Sequence, residues 1–191
     1  MKCLHLFVEE PSIKEVLEVI LPQVLPPSIS FRIYPHQGKQ DLERAIEKTI
    51  PSISKIPGAR IIISRDQDSA ICTDVKQKIN NLANGKIICP FKIRIVCKEL
   101  ESWFLGDLQA VAMAYPRFNP DSILGKAEMR NVDDIVNPAQ YLLKVVPEYK
   151  ASEHLPKIEN AKKIAPFLSI TNNHSRSFFH MIEAVKYLGE I

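Results

Sequence analysis

No two cysteines in this chain form a C-x-x-C pair, and no two histidines stand at H-x-x-x-H spacing. That excludes a cysteine-built metal ribbon and leaves no histidine pattern suited to a metal. Glycine is scarce, with six residues in 191, and none builds a G-x-x-x-x-G-K phosphate loop or a G-x-S-x-G nucleophile elbow. A fused P-loop ATPase and a serine-first hydrolase are therefore unsupported. No apolar run reaches membrane-span length. The opening "MKCLHLFVEE" runs into two glutamates instead of a small-residue cleavage site, so it reads as a first strand of a cytoplasmic protein, not as a signal peptide. Charge of one sign is also lacking. The net is +3, and the lysines and arginines are dispersed, without the clustered basic surface of a dedicated nucleic-acid binder. The four cysteines, Cys3, Cys72, Cys89 and Cys97, are far apart and read as buried reduced thiols.

What is present is an alternation. "CLHLFV" is a strand-length apolar run. In the helix that follows, Ile13, Val16, Leu17, Ile20, Leu21, Val24 and Leu25 recur at helical spacing, with Ser12 and Glu15 as a capping box. "SISFRIYP" alternates as a second strand. A helix with Leu42, Ala45, Ile46 and Ile50 on one face follows, then "ARIIIS", a helix with Val75, Ile79 and Leu82 inward, and "FKIRIVC". Residues 100–115 read as one helix with Leu100, Trp103, Phe104, Leu108, Val111 and Tyr115 on its apolar stripe. Strands are expected at 3–8, 30–34, 60–64 and 91–97. The pattern implies an α/β fold, a mainly parallel sheet flanked by helices. After Pro116, prolines punctuate short helical pieces, with Asn137 and Ser175 as caps, and no strand is expected. The organisation is an α/β core over residues 1–115 and a C-terminal helical extension, 116–191, packed on it.

Acids collect at the strand ends. Glu9 and Glu10 follow the first strand, Asp66 and Asp68 the third, and Glu99 the fourth, with Glu101 at the next helix start. Parallel α/β sheets bind ligands beyond the carboxyl ends of their strands. Acids also cap helix N-termini, and each pair alone is explained that way. Three placements on one edge, with a D-x-D among them, point instead to a hard divalent cation, Mg²⁺ or Mn²⁺, held by oxygens. In "HQGKQDL", Gly38 permits a tight turn. Lys39 then opens a helix on the same edge, where a phosphate would bind.

Two other acid-edge folds fit less well. A receiver domain needs a lysine after a fifth strand, and a haloacid-dehalogenase-type phosphatase carries its D-x-D after the first strand. Glutamate after strand one with D-x-D after strand three resembles the Toprim domain of topoisomerases, primases and overcoming-lysogenization-defect nucleases. The ordered motifs "EEPS", "HQGKQDL", "DQDSAIC" and "KELESWFLGD", with "YKASEHLPKI" and "SRSFFHMI" in the tail, are similar to the bacterial Toprim-like family called domain of unknown function 4276. The resemblance covers nearly the whole chain. Glu10 replaces the glycine common next to the Toprim glutamate, so which glutamate does the chemistry stays open.

The resemblance implies a Toprim-like fold, Mg²⁺-dependent phosphodiester hydrolysis of DNA or RNA, and a role in phage defence beside a separately encoded ABC- or AAA-type ATPase. Asp66, Asp68, Glu9, Glu99 and Glu101 would be metal ligands. Glu9, Glu10 and Lys39 would be catalytic. Lys39, Lys98 and Arg176 would face nucleic acid, joined by Lys126, Arg130 and Lys150 along the phosphate backbone. The competing reading is a non-catalytic metal- or nucleotide-binding module that regulates an ATPase partner.

Overall fold

The computed structural model describes residues 2–190. Four strands, β1 (Cys3–Val8), β2 (Ser30–Pro35), β3 (Ala59–Asp66) and β4 (Phe91–Val96), form one sheet in the order β2-β1-β3-β4, every pair parallel. The expected strands are all present, and the mixture is the α/β arrangement expected of a Toprim-like fold. Strand β1 is followed by its neighbour on one side and then by its neighbour on the other. The chain therefore reverses direction across the sheet between β1 and β3, and the crevice beyond their carboxyl ends is where such sheets bind ligands.

The strand pleat separates two cores. Leu4, Leu6, Val8 and Ile62 face helix α1 (Pro11–Val24) and the carboxy-terminal helices. Phe7, Ile61, Ile63, Ile93 and Ile95 face helices α2 (Lys39–Lys48), α3 (Ile50–Ile53) and α4 (Cys72–Ala83). A buried cluster runs without interruption from Leu4 through Trp103, Leu142 and Ile164 to Leu188, so the residues after 116 share the core on the α1 side.

Three local expectations are corrected. Ser12 does not form a capping box. Pro11 occupies the first helical turn, Glu10 is the cap position, and the Ser12 hydroxyl donates to the Glu10 carboxylate at 3.4 Å. Residues 100–115 are two helices, α5 (Glu101–Leu105) and α6 (Leu108–Ala114), broken at Gly106 and Asp107. Asp107 Oδ1 accepts from the Ala110 amide at 3.0 Å and starts α6 anew. Both pieces bury the expected stripe residues in the same core, so the stripe runs unbroken through a broken helix. The four cysteines are free, and all are half-buried instead of buried.

Helices α7 (Asp121–Leu124), α8 (Pro138–Val145), α9 (Lys157–Ile164) and α10 (Arg176–Glu190) complete the chain with short 3-10 turns. Among the described residues none after 116 is in a strand. Asn137 precedes α8 without a side-chain capping bond. Ser175 caps α10 by accepting from the Phe178 amide at 3.2 Å. Asp133 also binds that end, accepting from the Ser175 hydroxyl and the Ser177 amide. The Ser177 hydroxyl in turn accepts from Trp103 Nε1 at 2.9 Å.

Gly38 sets the entry to α2 with φ 87° and ψ 178°, a region that is essentially glycine's own. Its amide donates to the Glu9 carbonyl at 3.0 Å, tying the α2 turn to the end of β1. An added Cβ would meet nothing within 4 Å. Gly38→Ala is thus a pure backbone test, expected to lower stability by roughly 1–2 kcal/mol. Denaturant midpoints check this, and an unchanged midpoint would mean the turn relaxes without strain.

Candidate metal and phosphate site

Parallel register places the acids side by side. Asp66 pairs with Val96, so β3 and β4 end together, and Val8 pairs with Ser64, so β1 stops two residues earlier and Glu9 and Glu10 continue along the same edge. The edge continues past the strands through main-chain bonds, Gln67 to the Val96 carbonyl and Asp68 to the Lys98 carbonyl, at 2.9 and 3.0 Å. Among the described residues, Asp68 and Lys98 are the non-glycine residues with positive φ, 55° and 58°. Two strained residues bonded to each other at a sheet edge are typical of a site whose geometry is held by its surroundings.

The pleat then divides the acids. Arg65 points to the α2 side, where its Nη1 binds Glu43 Oε1 at 2.9 Å, and Lys78 also holds Glu43. Glu9 is drawn to this side. Its Oε2 lies 3.7 Å from Arg65 Nε and accepts from the Asp66 amide at 3.1 Å. Burial raises the Glu9 pKa; the Asp66 amide and Arg65 oppose this, while the charges of Asp68 and Glu10 add to it.

Asp66 is turned the other way and is buried. Burial raises its pKa well above the usual carboxylate range, and the charges of Glu10, Glu9 and Glu101 push in the same direction. Its Oδ1 has no hydrogen-bond partner among the described residues. Glu101, the first residue of α5, is fully buried with both carboxylate oxygens unpartnered. Burial pushes its pKa up to about 7 even though Lys157 pulls it down.

Lys157, the first residue of α9, is the group that the sequence reading left without a role. Its Nζ lies 3.3 Å from Glu10 Oε2 and 3.7 Å from Glu99 Oε1. Burial alone would lower its pKa, but the combined pull of Glu101, Glu10, Glu99 and Asp66 outweighs this and raises it. The one local signal was a lysine after Pro156 in "HLPKI", which marks a helix start and nothing about a distant edge.

The other expected residues are less central. Asp68 is exposed; it lines a recess of ≈ 210 Å³ with Lys98 and Glu99, and its charge reaches Glu9. Glu99 divides its oxygens, Oε2 accepting from the Ala139 amide at the start of α8. Lys39 is exposed in the first turn of α2, on the same edge. Lys98 is half-buried, and Arg176 is exposed at the start of α10. Lys126, Arg130 and Lys150 lie in the helical half, outside this constellation. A larger cleft of ≈ 470 Å³ between α6 and the 167–174 segment is mainly apolar and holds none of these acids.

A shared point for Glu9, Asp66 and Asp68 was expected. Among the described residues, no three histidine, cysteine, aspartate or glutamate side chains are grouped closely enough to hold a metal ion. The alternation that sends Arg65 and Asp66 to opposite faces explains the spread. The donor chemistry nevertheless suits a hard cation, because Asp66 Oδ1 and both Glu101 oxygens are buried, anionic when ionised, and unpartnered among the described residues.

Fold and edge together define a parallel α/β protein with a buried carboxylate cluster at its strand-order reversal. No family model, curated protein or solved structure matches the chain. Among the described residues no helix is long and apolar enough to cross a membrane.

Proposed function

We propose that this chain is a Toprim-like, Mg²⁺-dependent nuclease that cleaves phosphodiester bonds of DNA or RNA in the cytoplasm and serves phage defence with a separately encoded ATPase of the ABC or AAA class. The observation that carries the reading is the pair of buried, unpartnered carboxylates, Asp66 and Glu101, set beside Glu9 and Glu10 at the carboxyl ends of β1 and β3. Asp66, Glu101 and Glu10 would hold the cation, with Asp68, Glu9 and Glu99 as the further carboxylates of the edge. When bound, Mg²⁺ or Mn²⁺ supplies charge for the phosphate and a more acidic water. Glu9 is held by Arg65 and the Asp66 amide, so it keeps a fixed orientation for proton transfer. Lys39, Lys98 and Arg176 would contact the backbone phosphates.

Among the described residues the carboxylates are spread and no three gather on one point, which favours a second reading, a metal- or nucleotide-binding module that regulates the ATPase without cutting. Cleavage assays on single- and double-stranded DNA and RNA, with Mg²⁺, Mn²⁺ or chelator, separate the two. Asp68→Asn is the informative variant. Asn tolerates left-handed backbone as well as Asp does, and the side chain is exposed, so the fold is preserved. Cleavage by the variant should fall roughly 10–100-fold. Undiminished cleavage would remove Asp68 from the site, and no metal-dependent cleavage by the parent chain, alone or with its partner, would leave the regulatory reading.

A further inference from the structure

Arg65 serves Glu9 on the α2 side of this edge, and Lys157 is the positive group set against Glu10 and Glu99. Its ammonium faces Glu10 from the end of β1 and Glu99 from the end of β4, and it interacts through space with Glu101 and Asp66. Two carboxylates thus share one monovalent cation, and the buried Asp66 and Glu101 lie within reach of its charge. Its contacts within 4 Å go to Glu10 and Glu99, while Asp66 Oδ1 and both Glu101 oxygens are left without hydrogen bonds. A dication offers more coordination positions and twice the charge, so it would satisfy oxygens that the ammonium leaves unmet.

The chain around Lys157 allows the exchange. Between Tyr149 and Lys157 there is neither helix nor strand. One turn further on, α9 is fixed. The buried Asn160 Oδ1 accepts from the hydroxyls of Tyr115 and Tyr149 at 3.0 and 3.1 Å, and Ala161 and Ile164 are fully buried. The Lys157 side chain is 32% exposed, so it has solvent to turn into while its helix stays docked.

We propose that Lys157 is a tethered counter-ion that competes with a divalent cation for the carboxylates of Glu10, Glu99, Glu101 and Asp66, so that cation entry releases the Lys157 ammonium from the edge. The inference rests on the reading that this edge takes a divalent cation. It adds a role for the helical half, as the element that keeps the edge neutralised until the cation arrives.

Two measurements test it. In calorimetric titration with Mn²⁺, Lys157→Met, which keeps the length of the stem but not the charge, should bind at least about tenfold more tightly than the parent chain. Mn²⁺ binding by the parent chain that is equal or weaker in the variant would sink the counter-ion role and leave the metal reading intact. Failure of both proteins to bind Mn²⁺ would overturn the metal reading and the proposal with it. The second measurement uses the parent chain alone and does not depend on the variant folding. Labelling of Lys157 by an amine-directed reagent, read by mass spectrometry against Lys162 and Lys163, should rise several-fold on adding Mg²⁺. Labelling that stays constant or falls would show that the ammonium remains in place and would refute the exchange.

Discussion

Asp66→Asn is expected to remove metal-dependent cleavage, by at least roughly 100-fold, while the metal-free chain stays folded. The substitution preserves shape and replaces a buried carboxylate with a neutral amide. The bond that fixes Glu9 goes to the main-chain amide of Asp66, so it survives the change of side chain. What is lost is the unpartnered Oδ1 charge facing Glu10 and Glu101. Burial and those neighbouring acids already make the ionised form costly in the absence of a cation, so in chelator at neutral pH the variant should melt no lower than the parent, and somewhat higher. Cleavage rates and melting temperatures with and without Mg²⁺ check both halves. Retained cleavage, or an equal Mg²⁺-induced rise in melting temperature in both proteins, would show that Asp66 is not part of a cation site.

The sheet was legible because its signals are local. Apolar runs of strand length alternate with helical periodicity, and parallel pairing then aligns strand ends without further information. Glu9, Asp66 and Glu99 could be assigned to one edge from the order of elements alone. Side-chain direction was not legible to the same depth. The spacing of Asp66 and Asp68 equals the two-residue strand repeat, which predicts a shared face, but β3 stops at Asp66 and the chain turns left-handed at Asp68. One carboxylate is buried and the other exposed. Lys157 was invisible for a different reason. It meets Glu10 across 147 positions of sequence, and nothing in a proline-lysine helix start marks which distant charge it will face. The break at Gly106 and Asp107 was hidden by an apolar stripe that continues through it, although the Gly-Asp pair carried a cap signal.

Glu101 gives the largest expected change in stability. Its carboxyl is buried without hydrogen bonds, and its pKa rises to about 7 from an ordinary 4.5. A raised folded-state pKa means that the folded chain holds the proton more tightly than the unfolded chain does. The resulting stabilisation is complete below about pH 4.5 and is lost as pH rises through about 7. A shift of this size corresponds to about 3 kcal/mol. Glu101→Gln removes the titration while keeping the shape. In chelator, the stability difference between Glu101→Gln and the parent should grow in the variant's favour by about 3 kcal/mol between pH 4.5 and pH 7.5, then level off. Asp66 titrates in both proteins, and losing the Glu101 charge eases its ionisation in the variant, which adds to the difference in the same direction. Urea unfolding at half-unit pH steps measures the difference directly. A difference that stays flat with pH would mean that water or Lys157 already neutralises Glu101. The same experiment with Mg²⁺ present should close the gap at high pH, because a cation bound by the ionised carboxylate restores to the parent chain what deprotonation takes away.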